Sequence, residues 1–211
     1  MKAWHWVGED RRLRYGDNRV VRAGHTYKAK GKGSIVLCQN GVHGSKRILD
    51  GLCYAPGPVV CRVNISGEIV QGSDKLAGRT RDVLWLLDAS AVLHEFACRC
   101  ADTFLARITH PDPRSIEGIR VKRAWLRGEA TDSDLAFASA AAWDAAWAAA
   151  STAARASASA AAWASAWASA SAAVWAAAGA ATWAAASTAA QNRTLTGMVV
   201  AAHKKSAGGP R

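Results

Sequence analysis

Between positions 136 and 190 the chain does without almost every residue type except Ala, Ser, Thr and Trp. The tract lacks the density of Leu, Ile, Val and Phe that insertion into lipid requires, and Asp144 and Arg155 interrupt it, so composition argues against a membrane span. Residues 151–211 contain no Asp or Glu at all. The five cysteines (Cys38, Cys53, Cys61, Cys98 and Cys100) are odd in number and form no CxxC pair, which argues against a disulfide framework and a standard zinc module. Cys38, His43, Cys53 and Cys61 could still collect on one metal, although a buried free cysteine more often acts as a small hydrophobe. His94-Glu95 lacks the second His of a zinc-protease helix, and Cys98 alone makes an incomplete metal pair with His94. No phosphate-cradling loop is evident: Gly31-Lys-Gly33-Ser34 is short and no helix start follows it. The polar start Met1-Lys-Ala-Trp-His-Trp is no signal peptide, and a cytoplasmic protein with reduced thiols is expected.

What the tract does contain is a stripe. Trp143, Trp147, Trp163, Trp167, Trp175 and Trp183 are separated by multiples of four. Ala has the highest helix propensity, so helix is expected throughout. At about 100° per residue, Trp163 and Trp167 would lie about 200° round from Trp143 and Trp147 on one straight rod. Ser139-Ala-Ala-Ala-Trp143 recurs as Ser159-Ala-Ala-Ala-Trp163 and, degraded, as Gly179-Ala-Ala-Thr-Trp183. A repeat of twenty residues that is out of phase with one helix face fits helices that turn back on one another. The turns are expected near Ser151, Thr152, Arg155, Ser157 and Ser159 and near Gly179. Reversal would bury the indoles, and any Trp left exposed becomes a contact for a partner.

Charge is unevenly distributed. Residues 1–50 carry eleven Lys/Arg against four Asp/Glu (+7), residues 51–150 eleven against twelve (−1), and residues 151–211 five against none (+5). The basic groups cluster at Arg11, Arg12 and Arg14, at Arg19 and Arg22, at Lys28, Lys30 and Lys32, and in the tail at His203-Lys204-Lys205. Such clusters suit an acidic partner, either a protein surface or a nucleic acid, or else form a solvated face. Arg11, Arg12, Arg14, Lys28, Lys30 and Lys32 are the candidate binding residues.

An α+β protein is expected, with a basic β-rich domain over 1–79, a helical domain over 80–204 forming an antiparallel Ala/Trp bundle, and a flexible tail over 205–211. In the first part strands are expected at 4–7, 20–29, 35–38, 59–65 and 68–70, with turns at Gly16-Asp17-Asn18 and Ser66-Gly67. Ser45 would cap a short helix reaching Tyr54, which Pro56-Gly57-Pro58 stops. In the second part helices are expected over about 80–108, broken near Ser90, and over 115–127, stopped by Gly128. Thr131-x-x-Asp134 would cap the long tract.

Cys38-Gln-Asn-Gly41-Val-His43, the short helix ending at Tyr54 and the strand followed by Ser66-Gly67-Glu68 resemble an uncharacterised N-terminal domain of phage and prophage proteins. That family reads Cys-x-x-Gly-Phe-His-Ala-Cys, where this chain has Val42 and Gly44-Ser45. The run from Leu93 to Asp102, Pro111-Asp-Pro-Arg114 and Ala124-Trp-Leu-Arg-Gly-Glu-Ala-Thr131 is similar to helical proteins described as polymorphic-toxin immunity proteins. These two resemblances imply a mobile-element accessory protein, in counter-defence or immunity, that binds a protein partner, with homo-oligomers left open. Val42-His43-Gly44-Ser45-Lys46 also resembles the first motif of ADP-ribosyltransferases. That resemblance implies NAD as cofactor, His43 and Ser45 at its ribose, Tyr54 stacked on nicotinamide and Glu68 as the available carboxylate.

Overall fold

A computed structural model of the chain describes residues 1–14, 16–148, 158–159, 161–162, 164–165 and 188–208. The fold is α+β: an antiparallel five-stranded sheet is followed by helices. Two compact units divide it. One comprises Met1–Ala89 with Val199–Arg211, the other Ser90–Met198.

In the first unit the strands are β1 (Lys2–Val7), β2 (Thr26–Lys28), β3 (Val42–Gly44), β4 (Val59–Gln71) and β5 (Leu76–Asp88), with α1 (Ile48–Leu52) before β4. The sheet order is β1-β4-β5-β2, and β3 joins the same β5. Ser45, directly after β3, exchanges both backbone hydrogen bonds with Trp4 of β1 at 2.8 Å each, so the pairing returns to its starting strand. Four expectations are corrected here. The helix expected from residue 80 is strand as far as Asp88, and the unit boundary therefore falls about ten residues later than 79. Its cause is pairing: Thr80-Arg-Asp-Val83 is opposed residue by residue by β4, and after a one-residue slip at Leu84 the pairing resumes at Trp85, across a tight turn closed by the Gly72 N–H and the Lys75 carbonyl (2.8 Å). The turn expected at Ser66-Gly67 is instead a bulge within β4. The register slips between Ser66 and Ile69, and Gly67 takes φ 79°, where a Cβ would lie 2.8 Å from the Cβ of Arg79. Of the strand expected over 20–29 only β2 forms, Val20 making a single bridge to Arg12. Residues 36–40 close a turn instead of a strand.

The two faces of the sheet have different coverings. Ala3, Val7, Cys61, Val63, Ile65 and Val83 point to one side and pack with Tyr27 and Val42. On the other, Trp6 donates from Nε1 to the Ile48 carbonyl of α1 (3.4 Å). Arg62 lies 4.4 Å over Trp4, Trp4 meets Trp85 edge-on at 5.8 Å, and Trp85 stacks on His203 at 4.2 Å. Ser45 does not cap α1; the helix begins after Arg47, with no side-chain cap.

The second unit contains α2 (Ser90–Leu105), α3 (Pro113–Leu126), α4 (Asp132–Ala148) and the first part of α5 (Thr188–Gly208). Asp112 caps α3 by accepting the Arg114 N–H (2.9 Å), Pro113 sits where no helical N–H is needed, and Gly128 follows the end at φ 76°. The capping box before α4 forms as expected: the Thr131 N–H reaches the Asp134 carboxylate (2.8 Å) and the Asp134 N–H reaches the Thr131 hydroxyl (3.1 Å). Small residues then set the packing. The buried line of α4 is Leu135, Ala138, Ser139, Ala142, Ala145 and Ala146, and a Cβ on Gly118 of α3 would come within 3.2 Å of Ala142. Trp143 packs half-buried against Ala145, Ala146 and Ala158, but Trp147 is 80% exposed. The expected burial of the stripe is therefore corrected at Trp147, which lies about 100° beyond Ala146 and off the packed line. Ser159, expected in a turn, is helical and buried. The turns expected at 151–157 and Gly179, and Trp163, Trp167, Trp175 and Trp183, lie outside the described residues. No helix among the described residues is long and apolar enough to cross a membrane.

Candidate functional site

The four residues expected around NAD, His43, Ser45, Tyr54 and Glu68, each have a local partner. His43, on β3, is half-buried. Its Nε2 accepts the Cys38 N–H (3.2 Å) and its carbonyl accepts a hydrogen bond from Arg81 (3.1 Å). Burial, then the charges of Arg81 and Lys75, hold its pKa below the ordinary histidine value. The neutral ring therefore carries its proton on Nδ1, and the lone pair that a general base needs is occupied. The same bond supports Cys38, a non-glycine residue at φ 64°. Ser45 is buried, with its backbone paired to Trp4. Tyr54 is exposed; its hydroxyl donates to the Asp74 carboxylate and its ring lies 4.2 Å from the Lys75 ammonium. Glu68, at the bulge, accepts the Ile35 N–H (3.1 Å) and an Arg79 guanidinium hydrogen bond (2.6 Å), tying the 31–35 loop to the sheet. Among the described residues no hydrogen bond or ion pair joins any two of the four.

The cysteines are likewise dispersed. Cys38 and Cys53 are exposed, while Cys61 is buried in the sheet core, where burial pushes its thiol up to about 12. Among the described residues no group of three or more His, Cys, Asp or Glu side chains is placed to hold a metal. His94 is buried against Trp125, at 5.8 Å edge-on.

The basic candidates do come together. Residues 11–21 form a small hairpin: the Arg12–Val20 bridge closes it, and Arg12 donates to the Asn18 carbonyl (2.9 Å). That hairpin lies beside β2, because Arg19 donates to the Lys28 carbonyl (3.2 Å) and Lys30 to the Gly16 carbonyl (3.1 Å). Tyr27 pins the arrangement from below, accepting the Arg22 N–H (2.9 Å) and donating to the Val20 carbonyl (2.7 Å). Two of the eight cations here are neutralised, Arg14 by Asp10 (2.8 Å) and Arg19 by Asp17 (2.6 Å). Arg11, Arg12, Arg22, Lys28, Lys30 and Lys32 are exposed and form no ion pair among the described residues. Arg14, one of the sequence candidates, is thus committed to an internal pair.

No family model, curated protein or solved structure matches the chain. The site therefore rests on its own geometry.

Two elements of it escape a reading by charge alone. Arg22 belongs with the exposed cations that form no ion pair among the described residues, although its cluster with Arg19 was not among the candidate binding residues. The turns between the cations carry Gly16 (φ 77°), Gly24 (φ 75°) and Gly31 (φ 83°), each with open space where a Cβ would be. The visible signal was a glycine bracketed by basic residues three times: Arg14 and Arg19, Arg22 and His25, Lys30 and Lys32.

Proposed function

We propose that this chain is a binding protein whose first unit holds an acidic macromolecular partner against the basic ribbon of residues 11–32. The observation that carries this is the set of six exposed cations that have no carboxylate partner among the described residues, on a hairpin and edge strand that hydrogen bonds hold together. Whole-unit charge agrees. The first unit has 18 Lys/Arg against 8 Asp/Glu, net +10, whereas the second has 9 against 8, net +1. A field of that size concentrates an oppositely charged partner and speeds its encounter. A role as a mobile-element accessory protein in counter-defence or immunity, which the two resemblances imply, would use such a contact. Nothing in the bonding of His43, Ser45, Tyr54 and Glu68 favours NAD chemistry over it.

Retention on immobilised heparin tests the proposal. Charge reversal at Arg22, Lys28 and Lys32 should lower the salt concentration of elution far more than reversal at Lys204 and Lys205. Equal shifts from the two sets would sink it.

A further inference from the structure

The geometry points to one class of acidic partner: the ribbon binds the phosphate backbone of a nucleic-acid duplex and does not read bases. This inference rests on the proposed binding role. Three observations select phosphate over an acidic protein surface and duplex over single strand.

The first is what the ribbon lacks. Protein interfaces are anchored by buried aromatic or aliphatic side chains at their centre. Among the described residues of 11–32, Leu13, Val21 and Tyr27 are buried and Val20 is half-buried, so cations and small polar groups are left on the surface. None of these described residues would fill a pocket on a protein. Among the described residues of the stretch no Phe, Tyr or Trp ring is exposed, and the one exposed ring, His25, is held by its Nδ1 contact with the Ala23 carbonyl (3.1 Å), which gives a single strand little stacking platform.

The second is the repeated turn. Gly16, Gly24 and Gly31 each take the left-handed conformation at a solvent-facing tip, with no heavy atom within 4 Å of a would-be Cβ, and each is flanked by basic side chains. A side-chain-free tip lets an oxyanion approach the backbone closely while neighbouring cations neutralise it. The Gly24 N–H is already donated to the Val83 carbonyl (2.7 Å), so that tip offers close approach to Arg22 without a backbone donor of its own, and Gly16 and Gly31 are the tips suited to phosphates at the backbone.

The third is the charge itself. Six unpaired cations on one ribbon match a polymer with one negative charge per about 1.7 Å of duplex axis. Contacts of this kind carry affinity without sequence information.

Fluorescence anisotropy with the full chain tests this, using a labelled duplex of about 20 base pairs, the matching single strand and labelled polyglutamate over a salt series. Duplex affinity should fall steeply with salt and stay within about threefold when the sequence is scrambled. Arg22, Lys28 and Lys32 make no side-chain hydrogen bond or ion pair among the described residues. Their joint replacement by Ala should therefore reduce the slope of log affinity against log salt by about 2 to 3, with the fold intact. Replacing Lys204 and Lys205 should leave that slope unchanged. Tighter binding to the single strand, or a slope unmoved by the ribbon variant, overturns the inference. Polyglutamate bound through the ribbon with no duplex binding overturns it too, yet leaves the acidic-partner proposal standing. Failure of every polyanion to bind removes both.

Discussion

Individual residues show how tightly the sheet is constructed. Gly78 on β5 lies directly under Ile65, whose Cγ2 would be 2.3 Å from an added Cβ, and Gly44 has Ala3 and Ile65 at 3.0 Å. Gly78→Ala should destabilise the first unit by about 1 to 3 kcal/mol through overpacking, measured by urea unfolding. A neutral result would mean that Ile65 is free to move aside. In the second unit His94 and Lys122 are buried around Trp125, the Lys122 ammonium lying 4.2 Å from the ring centre. Burial, then the nearby Lys122 charge, lowers the His94 pKa to about 4 from an ordinary 6.5. The unfolded chain therefore takes up a proton that the folded one refuses, and stability falls as pH drops below 6.5. Between pH 6.5 and 4.5 the loss should reach about 2 to 3 kcal/mol, and it should shrink in His94→Leu. Thermal melts across that window decide; identical pH profiles for the two proteins would contradict the assignment. Neither effect was legible in the sequence. His94 stood out there for a metal motif it fails to complete, because its burial depends on Trp125, thirty-one residues away.

At the level of elements, local signals were legible where bonding is local. Thr131 and Asp134 announce a capping box, and the box forms; Gly128 marks the end of α3, while Pro113, expected in a linker before a helix at 115, is the first residue of the helix. Thr131→Ala should cost about 1 kcal/mol of the second unit's stability, read from its unfolding midpoint, and no change would mean that the helix end is held by packing instead. Where bonding is long-range the same local reading failed. Residues 80–88 alternate too weakly to declare a strand, and they are strand because the thirteen-residue β4 lies alongside. Ser45 has the chemistry of an N-cap yet spends its backbone on Trp4, forty-one residues earlier, so α1 starts without a side-chain cap. In α4 the large indoles drew attention, but the packed line is alanine, and Trp147 is left outside it.

Over the whole molecule, charge and chemistry are separated. The first unit carries nearly all of the net +11, and within it the free cations gather on the 11–32 ribbon while the His43 region is occupied by internal hydrogen bonds. The clusters at 11–14 and 28–32 were visible in the sequence. Their union was not, because it depends on Arg19 reaching Lys28 and Lys30 reaching Gly16 across the hairpin. Amide hydrogen exchange on the full chain, with and without a saturating heparin oligosaccharide, tests that union most directly. Protection should concentrate in residues 11–32; protection confined to residues 36–54 or to α3 and α4, with 11–32 unchanged, would contradict a ribbon that binds as one surface.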